Sequence, residues 1–167
     1  MIDKGEVIKS VFRRLGKINV YNDNKSDEYI TASSAFDDIV NTIAIRTAFL
    51  FNATTAKLTA IAVNELGENR FNIPVDNLNI IRANGKYRVE GEFIYSPEKE
   101  LYIQYCREIS LSEYPDYLFD YLVAAVCIEM CLAFNGYQDK LEIFNNLEYR
   151  ERNKIINQQG FNWKQWE

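Results

Sequence analysis

Acidic side chains are concentrated in the middle of the chain and raise the question of acid–base chemistry. Paired carboxylates perform general acid–base catalysis, as in glycoside hydrolysis. The surrounding sequence is typical of short strands and turns, where charged side chains ordinarily face solvent. Nothing in the spacing sets a distance between any two carboxyl groups, so we interpret these acids as surface charges and expect no enzyme. The residues concerned are Glu90, Glu92, Glu98, Glu100 and Glu108.

Two pairs of residues that are close in sequence could also form a catalytic or metal site. Asp37 and Asp38 are neighbours on a predicted helix, where adjacent side chains diverge by about 100°, so they indicate a solvated face. Cys127 and Cys131 lie four apart and share one helix face, which could form half of a metal site. The chain has no histidine and only three cysteines, too few soft ligands for zinc. We predict buried core cysteines, no metal and no cofactor.

Composition and charge narrow the class of protein. The chain has 167 residues, of which 47% are hydrophobic, and this suits one compact domain with a real core. The net charge of -5 disfavours a broad phosphate-binding surface. An odd number of cysteines without a signal-peptide pattern predicts reduced thiols in a cytoplasmic setting.

The stretch from Pro115 to Asn135 is the most apolar part of the chain. Between Tyr117 and Phe134 only Asp120 and Glu129 are charged, so a helix here is predicted to be buried on nearly every side. Its uninterrupted apolar run is much shorter than the roughly 18 to 20 residues that a bilayer requires. We expect the central helix of a soluble domain, and we expect Gly136 to end it in a left-handed conformation.

The remaining periodicity predicts helices on both sides of a β segment. Apolar residues recur at helical spacing in residues 3–15, 27–51 and 138–159, alongside the central helix 115–135. Between them, alternation in residues 53–109 predicts short strands near 57–64, 70–73, 77–83, 86–90, 92–95 and 100–107. Asn84-Gly85 predicts a hairpin between two of these strands. We therefore predict an α+β fold, with a helical bundle core of about four helices and an inserted antiparallel β-meander.

We expect residues 1–160 to form a single domain, followed by an aromatic tail at residues 161–167. This tail contains both tryptophans of the chain, Trp163 and Trp166, together with Phe161. Large aromatic side chains near a terminus either fold back on their own domain or anchor the chain to another surface. The sequence leaves both possibilities open.

The order of elements resembles the podophage head-to-tail adaptor family, the tubular tail protein A group. A long helix ends in an aromatic cluster at residues 48–52, and a segment with proline and aspartate, 72–78, precedes the next strand. A short hairpin with Tyr87 and a strand at 100–107 follow, and then Pro115 opens an alanine-containing hydrophobic helix. The chain departs from the family pattern where Phe49 stands in place of a tryptophan, and it is short for the group. These departures leave open which ring of the neck it would form.

The resemblance implies a structural virion protein at the head–tail junction, made in the bacterial cytoplasm. It implies a homo-oligomeric ring of about twelve subunits that binds the portal protein and a tail tube or nozzle protein. Genomic DNA would pass through the lumen without specific binding, which an acidic protein favours, and no membrane contact is expected. Portal docking would map onto Asn157, Phe161, Trp163 and Trp166.

Two other classes of function remain open at the sequence level. The chain could be another ring or tail-completion protein of the neck, or a small non-catalytic binding module that uses its many tyrosines and phenylalanines. An enzyme would need a cleft that brings carboxylates together. Self-association discriminates among these classes, because ring formation favours the adaptor and a stable monomer with a cleft favours an enzyme or binding module.

Overall fold

The structure, a computed structural model, describes residues 1–46 and 48–158. It confirms the α+β class and its four main helices. The α-helices are α1 (Lys4–Arg14), α2 (Asp27–Ile45), α3 (Phe119–Ala133) and α4 (Leu141–Gln158). The strands are β1 (Ala53–Thr59), β2 (Ala62–Val63), β3 (Asn69–Asn72), β4 (Asn77–Ala83), β5 (Arg88–Glu90), β6 (Phe93–Ser96) and β7 (Glu100–Arg107). Short 3-10 helices lie at Ile18–Asn22, Leu111–Glu113, Asp116–Leu118 and Asn135–Lys140.

These elements form two compact units. The helical unit contains Met1–Ile43 and the chain from Ile109 through α4, and the β unit contains Ala44–Glu108. The described part of the expected domain, residues 1–160, divides into these two units. In the sequence, the β unit is inserted into the helical unit. We describe each unit separately.

The helical unit is organised around α3, as its composition predicts. Residues on nearly every side of α3 are buried, and both α1 and α4 pack against it. The start of α1 is capped by Asp3, whose Oδ1 accepts a hydrogen bond from the Glu6 N–H at 2.9 Å. Ser26 caps α2 in the same way and accepts from the Tyr29 N–H at 3.2 Å. Each cap satisfies a helix-start N–H that has no partner within its helix.

The end of α3 differs from the prediction. The helix stops at Ala133 because Phe134 is extended, with φ -127° and ψ 122°. Gly136 then belongs to the 3-10 helix Asn135–Lys140 and does not have a positive φ. The predicted left-handed stop at Gly136 is therefore wrong, whereas Gly16, which follows α1, has a positive φ of 74°.

The predicted extension of α2 to residue 51 is also wrong, because α2 ends at Ile45. Two side-chain amides donate hydrogen bonds to the carbonyls at the end of α2. Asn52 Nδ2 donates to the Ala44 carbonyl at 2.8 Å, and Asn79 Nδ2 donates to the Ile45 carbonyl at 3.0 Å. Leu50 has a positive φ of 49°. A right-handed α-helix needs a negative φ, so the helix does not extend through Leu50. Helical periodicity in this stretch is thus overridden by contacts with distant parts of the β unit.

The β unit consists of two antiparallel sheets around one core. A three-stranded sheet has the order β1-β7-β4, and a four-stranded sheet has the order β2-β3-β6-β5. The face of β7 that carries Leu101, Ile103 and Tyr105 is buried and packs in one cluster with Phe71 and Ile94 of the other sheet. Gln104 and Cys106, on the other face of β7, are buried as well.

The hairpin predicted at Asn84-Gly85 is wrong, because the strands on either side of it belong to different sheets. β4 pairs with β7, and β5 pairs with β6. Asn84 continues the β7 ladder, since its N–H donates to the Tyr102 carbonyl at 3.0 Å and its Oδ1 accepts from the Tyr102 N–H at 2.9 Å. The turns with positive φ lie elsewhere, at Gly91 between β5 and β6 and at Gly67 between β2 and β3.

Among the helices of the described residues, none is long and apolar enough to span a membrane.

Candidate functional site

The five glutamates considered for catalysis are exposed, as predicted. Glu90 forms an ion pair with Arg88 on the four-stranded sheet. Glu100 forms another with Lys57 at 3.1 Å on the three-stranded sheet, and this hydrogen bond raises the pKa of Lys57. Glu90 and Glu100 therefore belong to separate surface ion pairs.

The cysteines and Asp37, the other groups considered for chemistry, are either buried or hydrogen-bonded. Cys106, Cys127 and Cys131 are free and buried, and burial raises the pKa of the Cys127 thiol to about 12. A thiol that stays protonated is neither a nucleophile nor a metal ligand. Asp37 accepts two hydrogen bonds from the Lys4 ammonium, at 2.8 and 2.9 Å. In the part of the chain that the structure describes, no group of three or more Cys, Asp or Glu is placed to hold a metal ion.

The portal-docking residues expected from the family resemblance are only partly described. Asn157 lies in the last turn of α4 and is exposed. Phe161, Trp163 and Trp166 lie outside the described residues, so their role stays a prediction.

A different surface stands out on the outer face of the four-stranded sheet. Because Phe71 and Ile94 point into the core, their strand neighbours Arg70, Phe93 and Tyr95 point outward. Arg70 lies across from Tyr95 in the ladder, and its guanidinium carbon is 4.5 Å from the Phe93 ring centroid. On the other side of Tyr95, the Arg88 guanidinium lies 4.6 Å from the Tyr95 ring centroid. Arginine and aromatic side chains of this kind are enriched at protein interfaces.

The two arginines of this face differ in their charge partners. Arg88 forms ion pairs with Glu68, at 2.7 Å, and with Glu90. These carboxylates raise the pKa of Arg88, and the Arg88 hydrogen bond lowers the pKa of Glu68. By contrast, no carboxylate among the described residues forms an ion pair with Arg70, whose buried Nε has no hydrogen-bond partner there. Arg70 therefore keeps an uncompensated positive charge at this surface.

A groove lies at one end of the sheet. It encloses about 610 Å³ and lies between the segment that follows β3 and the turn between β5 and β6. Its wall includes Phe93, whose ring contacts Arg70, and Val75, whose side chain is fully exposed. Asn77 also lines the groove, and its Oδ1 is buried without a hydrogen-bond partner among the described residues. The lining consists of Asn72, Ile73, Pro74, Val75, Asn77, Gly91, Glu92 and Phe93.

At the opposite end of β3, the β2–β3 hairpin exposes large aliphatic side chains. Ile61 is 49% exposed, Val63 is 64% exposed and Leu66 is 78% exposed. We call this set the aliphatic hairpin. Three large aliphatic side chains are thus exposed within six residues of one hairpin, and contiguous apolar surface is typical of interaction sites.

The loop that carries Leu66 is ordered by its own hydrogen bonds. Asn64 Oδ1 accepts from the N–H groups of Leu66 and Glu68, at 3.0 and 2.8 Å. Asn64 Nδ2 donates to the Glu68 carboxylate at 3.0 Å, and Gly67 supplies the positive φ of 77° that the turn needs. A preorganised loop loses little conformational entropy when it binds a partner.

Sequence reasoning did not identify either feature. The alternation of Ile61 and Val63, followed by Leu66-Gly67, is a local signal that could have indicated an apolar hairpin. No local pattern places Val75 beside Phe93, because these residues come together only through the pairing of β3 with β6. The groove therefore required the tertiary structure.

In comparisons with known proteins, no family model matches this chain. A comparison with curated proteins likewise finds no match.

Proposed function

We propose that this protein is a structural subunit of a head-to-tail connector ring in a bacteriophage neck, which docks on the portal and joins it to the tail. The observation that carries an assembly role is the β unit, which presents an aliphatic hairpin and a groove at opposite ends of strand β3. Two different surfaces on one subunit are what a head-to-tail contact requires, and such contacts close into rings. The phage setting rests on the resemblance of the chain to podophage adaptors.

The arrangement of polar groups supports a structural role over a catalytic one. Two of the candidate acids, Glu90 and Glu100, lie in separate exposed ion pairs, and the thiols are buried. The net charge of -5 suits a channel wall along which DNA slides without binding.

Binding of the full-length protein to its cognate portal tests the proposal. We expect cosedimentation with the portal, and a ring on the portal in electron micrographs. A chain that ends at Gly160 should keep its far-ultraviolet circular dichroism spectrum but lose attachment, because the aromatic tail would supply the buried anchors. Absence of association with portal and tail proteins would refute the adaptor function.

A matched pair of variants separates the aromatic anchors from the mere presence of the tail. Trp163→Ala combined with Trp166→Ala should abolish cosedimentation, whereas Lys164→Ala combined with Gln165→Ala should leave it nearly unchanged. If the truncated chain binds the portal as well as the full-length one, the tail is not the anchor and docking uses another surface.

A second candidate function is a non-catalytic binding module, which the arginine–aromatic face of Arg70, Phe93, Tyr95 and Arg88 favours. Such a module would bind a partner protein at this face as a monomer. Sedimentation of the portal mixture distinguishes it, because a binding module gives a complex of fixed small stoichiometry and no ring.

A further inference from the structure

The arginine–aromatic face carries two arginines at the same level of the four-stranded sheet. Arg70 of β3 and Arg88 of β5 both lie across from Tyr95 of β6, one on each side of that strand. Residues directly across from one another in a ladder share a face, so the two guanidinium groups lie on the same side of the sheet. Each guanidinium also lies on an aromatic ring of β6. This ring contact orders the guanidinium before any partner binds.

The two arginines differ in their carboxylate partners. Two carboxylates bind Arg88, because Glu68 contacts its Nη2 at 2.7 Å and Glu90 contacts its Nη1. Arg70 forms no ion pair among the described residues, and its buried Nε has no hydrogen-bond partner there. The exposed Lys86 lines a small depression of about 170 Å³ beside Arg88 and likewise forms no ion pair in that part of the chain. The face therefore carries two positive charges that are not paired with any described carboxylate.

An unpaired guanidinium that is held on a ring is suited to bind a carboxylate. The terminal amino groups of arginine donate two parallel hydrogen bonds to one carboxylate, and such bidentate pairs are among the stronger polar contacts of proteins. A nucleic acid is a poorer match, because the chain has a net charge of -5, which repels a phosphate backbone. Bases would also need to stack on Phe93 or Tyr95, and a guanidinium already covers one face of each ring.

We infer that the arginine–aromatic face binds an acidic segment of a partner protein, with an Asp or Glu side chain of that segment paired with Arg70. Lys86 supplies the second positive charge toward the same segment. One strand separates β3 from β5, so their backbones lie about 9.5 Å apart and an extended segment that crosses β6 passes both cations. A ring subunit and a monomeric binding module can use this face equally, so the inference does not rest on the connector function.

Nuclear magnetic resonance of the full-length chain tests the inference with two peptides. The probe is a short peptide of alternating glutamate and serine, and the control peptide alternates glutamine and serine. At a physiological salt concentration of about 150 mM, the glutamate peptide should shift the side-chain Nε–H signal of Arg70 more than that of Arg88, because only Arg70 lacks a carboxylate. The glutamine peptide should shift neither signal. Equal shifts of Arg70 and of Arg13, an exposed arginine of α1, would overturn the inference.

Matched substitutions separate Arg70 from the net charge of the protein. Arg70→Gln should weaken binding of the glutamate peptide about tenfold, because one charge-assisted pair is lost. Arg13→Gln changes the net charge equally and should leave the affinity nearly unchanged. Arg70→Lys keeps the charge without the planar fork and should retain only part of the affinity. Fluorescence anisotropy of the labelled peptide measures all four proteins, and equal losses at positions 70 and 13 would mean that net charge alone attracts the peptide.

A gain of affinity provides a test that damage to the fold cannot imitate. Glu68→Gln combined with Glu90→Gln removes both carboxylates from Arg88 and keeps similar side-chain shapes. The freed Arg88 should then bind a second carboxylate, so this double variant should bind the glutamate peptide several-fold more tightly. Glu129→Gln combined with Glu142→Gln is the control, because these exposed acids of the helical unit change the net charge equally. No gain, or an equal gain in the control, would contradict the inference.

Two further measurements identify other occupants of the face. Tighter binding of oligothymidylate than of the glutamate peptide would assign the face to single-stranded nucleic acid and overturn the inference. Self-association that Arg70→Gln abolishes in sedimentation velocity would place an acid of a second copy on Arg70, and it would also overturn a separate partner. Both measurements are independent of portal cosedimentation, so failure of this inference leaves the connector function standing, and failure of portal binding leaves this inference standing.

Discussion

The guanidinium carbon of Arg70 lies 4.5 Å from the centroid of the Phe93 ring on the outer face of the four-stranded sheet. A cation–π contact at a partly exposed position contributes about 0.5–1 kcal/mol to stability. Arg70 forms no ion pair with a carboxylate among the described residues, and it contacts the groove only through the Phe93 ring.

We expect Arg70→Ala to reduce the free energy of unfolding by no more than about 1 kcal/mol and to weaken binding of the glutamate peptide clearly. Urea denaturation followed by circular dichroism measures the first, and fluorescence anisotropy of the labelled peptide measures the second. Arg13→Ala is the matched control, because Arg13 is an exposed arginine of α1 in the helical unit and its loss changes net charge equally. Equal effects of the two substitutions on peptide binding would show that only net charge matters.

Asn52 is expected to be one of the most sensitive polar positions of the β unit. Its buried Nδ2 donates to the carbonyls of Ala44 and Arg107, at 2.8 and 2.9 Å. Asn52→Leu leaves two carbonyls without these donors and should reduce the free energy of unfolding by about 2–4 kcal/mol. Asn145→Leu, at an exposed position of α4, serves as the control in the same urea titration and should change stability little. Similar losses at both positions would contradict the structural role of Asn52.

Replacement of Gly67 by alanine should reduce the free energy of unfolding more than replacement of Gly136 does. Neither glycine has an atom within 4 Å of an added Cβ, but Gly67 has a φ of 77° and Gly136 does not have a positive φ. Gly67→Ala should therefore cost about 1–2 kcal/mol of backbone strain. Gly136→Ala should be neutral or slightly stabilising, since alanine restricts the unfolded chain. Thermal unfolding curves of the two variants compare them, and a larger loss at Gly136 would be inconsistent with the backbone described.

Cys127 should make stability fall in alkaline solution. Burial raises the pKa of its thiol from 9.0 to about 12 in the folded chain, so the unfolded chain loses the proton first as the pH rises. Below pH 9 the Cys127 thiol is protonated in both states, and its contribution to the free energy of unfolding is complete. Between pH 9 and 12 the free energy of unfolding decreases by up to about 1.4 kcal/mol per pH unit.

Urea titrations at a series of pH values up to 10.5 test this pH dependence. Cys127→Ala lowers stability at neutral pH through a small cavity, but its stability should fall less steeply above pH 9 than that of the unsubstituted chain. Parallel slopes for the two proteins would show that other groups, such as the buried Tyr137, cause the alkaline loss. Burial and the hydrogen bond to Glu28 raise the pKa of Tyr137 as well.

Much of the local structure of this protein is determined by the sequence alone. The start of α1 at Asp3 and the cap of α2 at Ser26 follow from capping residues that act over a few residues. The core-facing side of β7, with Leu101, Ile103 and Tyr105, follows from a periodicity of two. The apolar composition of α3 likewise predicted a helix at the centre of the helical unit. These signals are local, so a single chain reveals them.

Only the tertiary structure decided how the strands pair and which side chains of different strands are neighbours. Asn84-Gly85 has a strong hairpin signal, but pairing of β4 with β7 outweighs it because a long ladder and a shared core stabilise more than one turn does. Pairing of β3 with β6, likewise long-range, places Phe93 against Arg70 and forms part of the groove at the far end of β3 from Leu66. Local preference is worth tenths of a kcal/mol per residue, whereas burial of a core side chain is worth about 1.5–3 kcal/mol, so distant contacts settle the surface on which the proposed function depends.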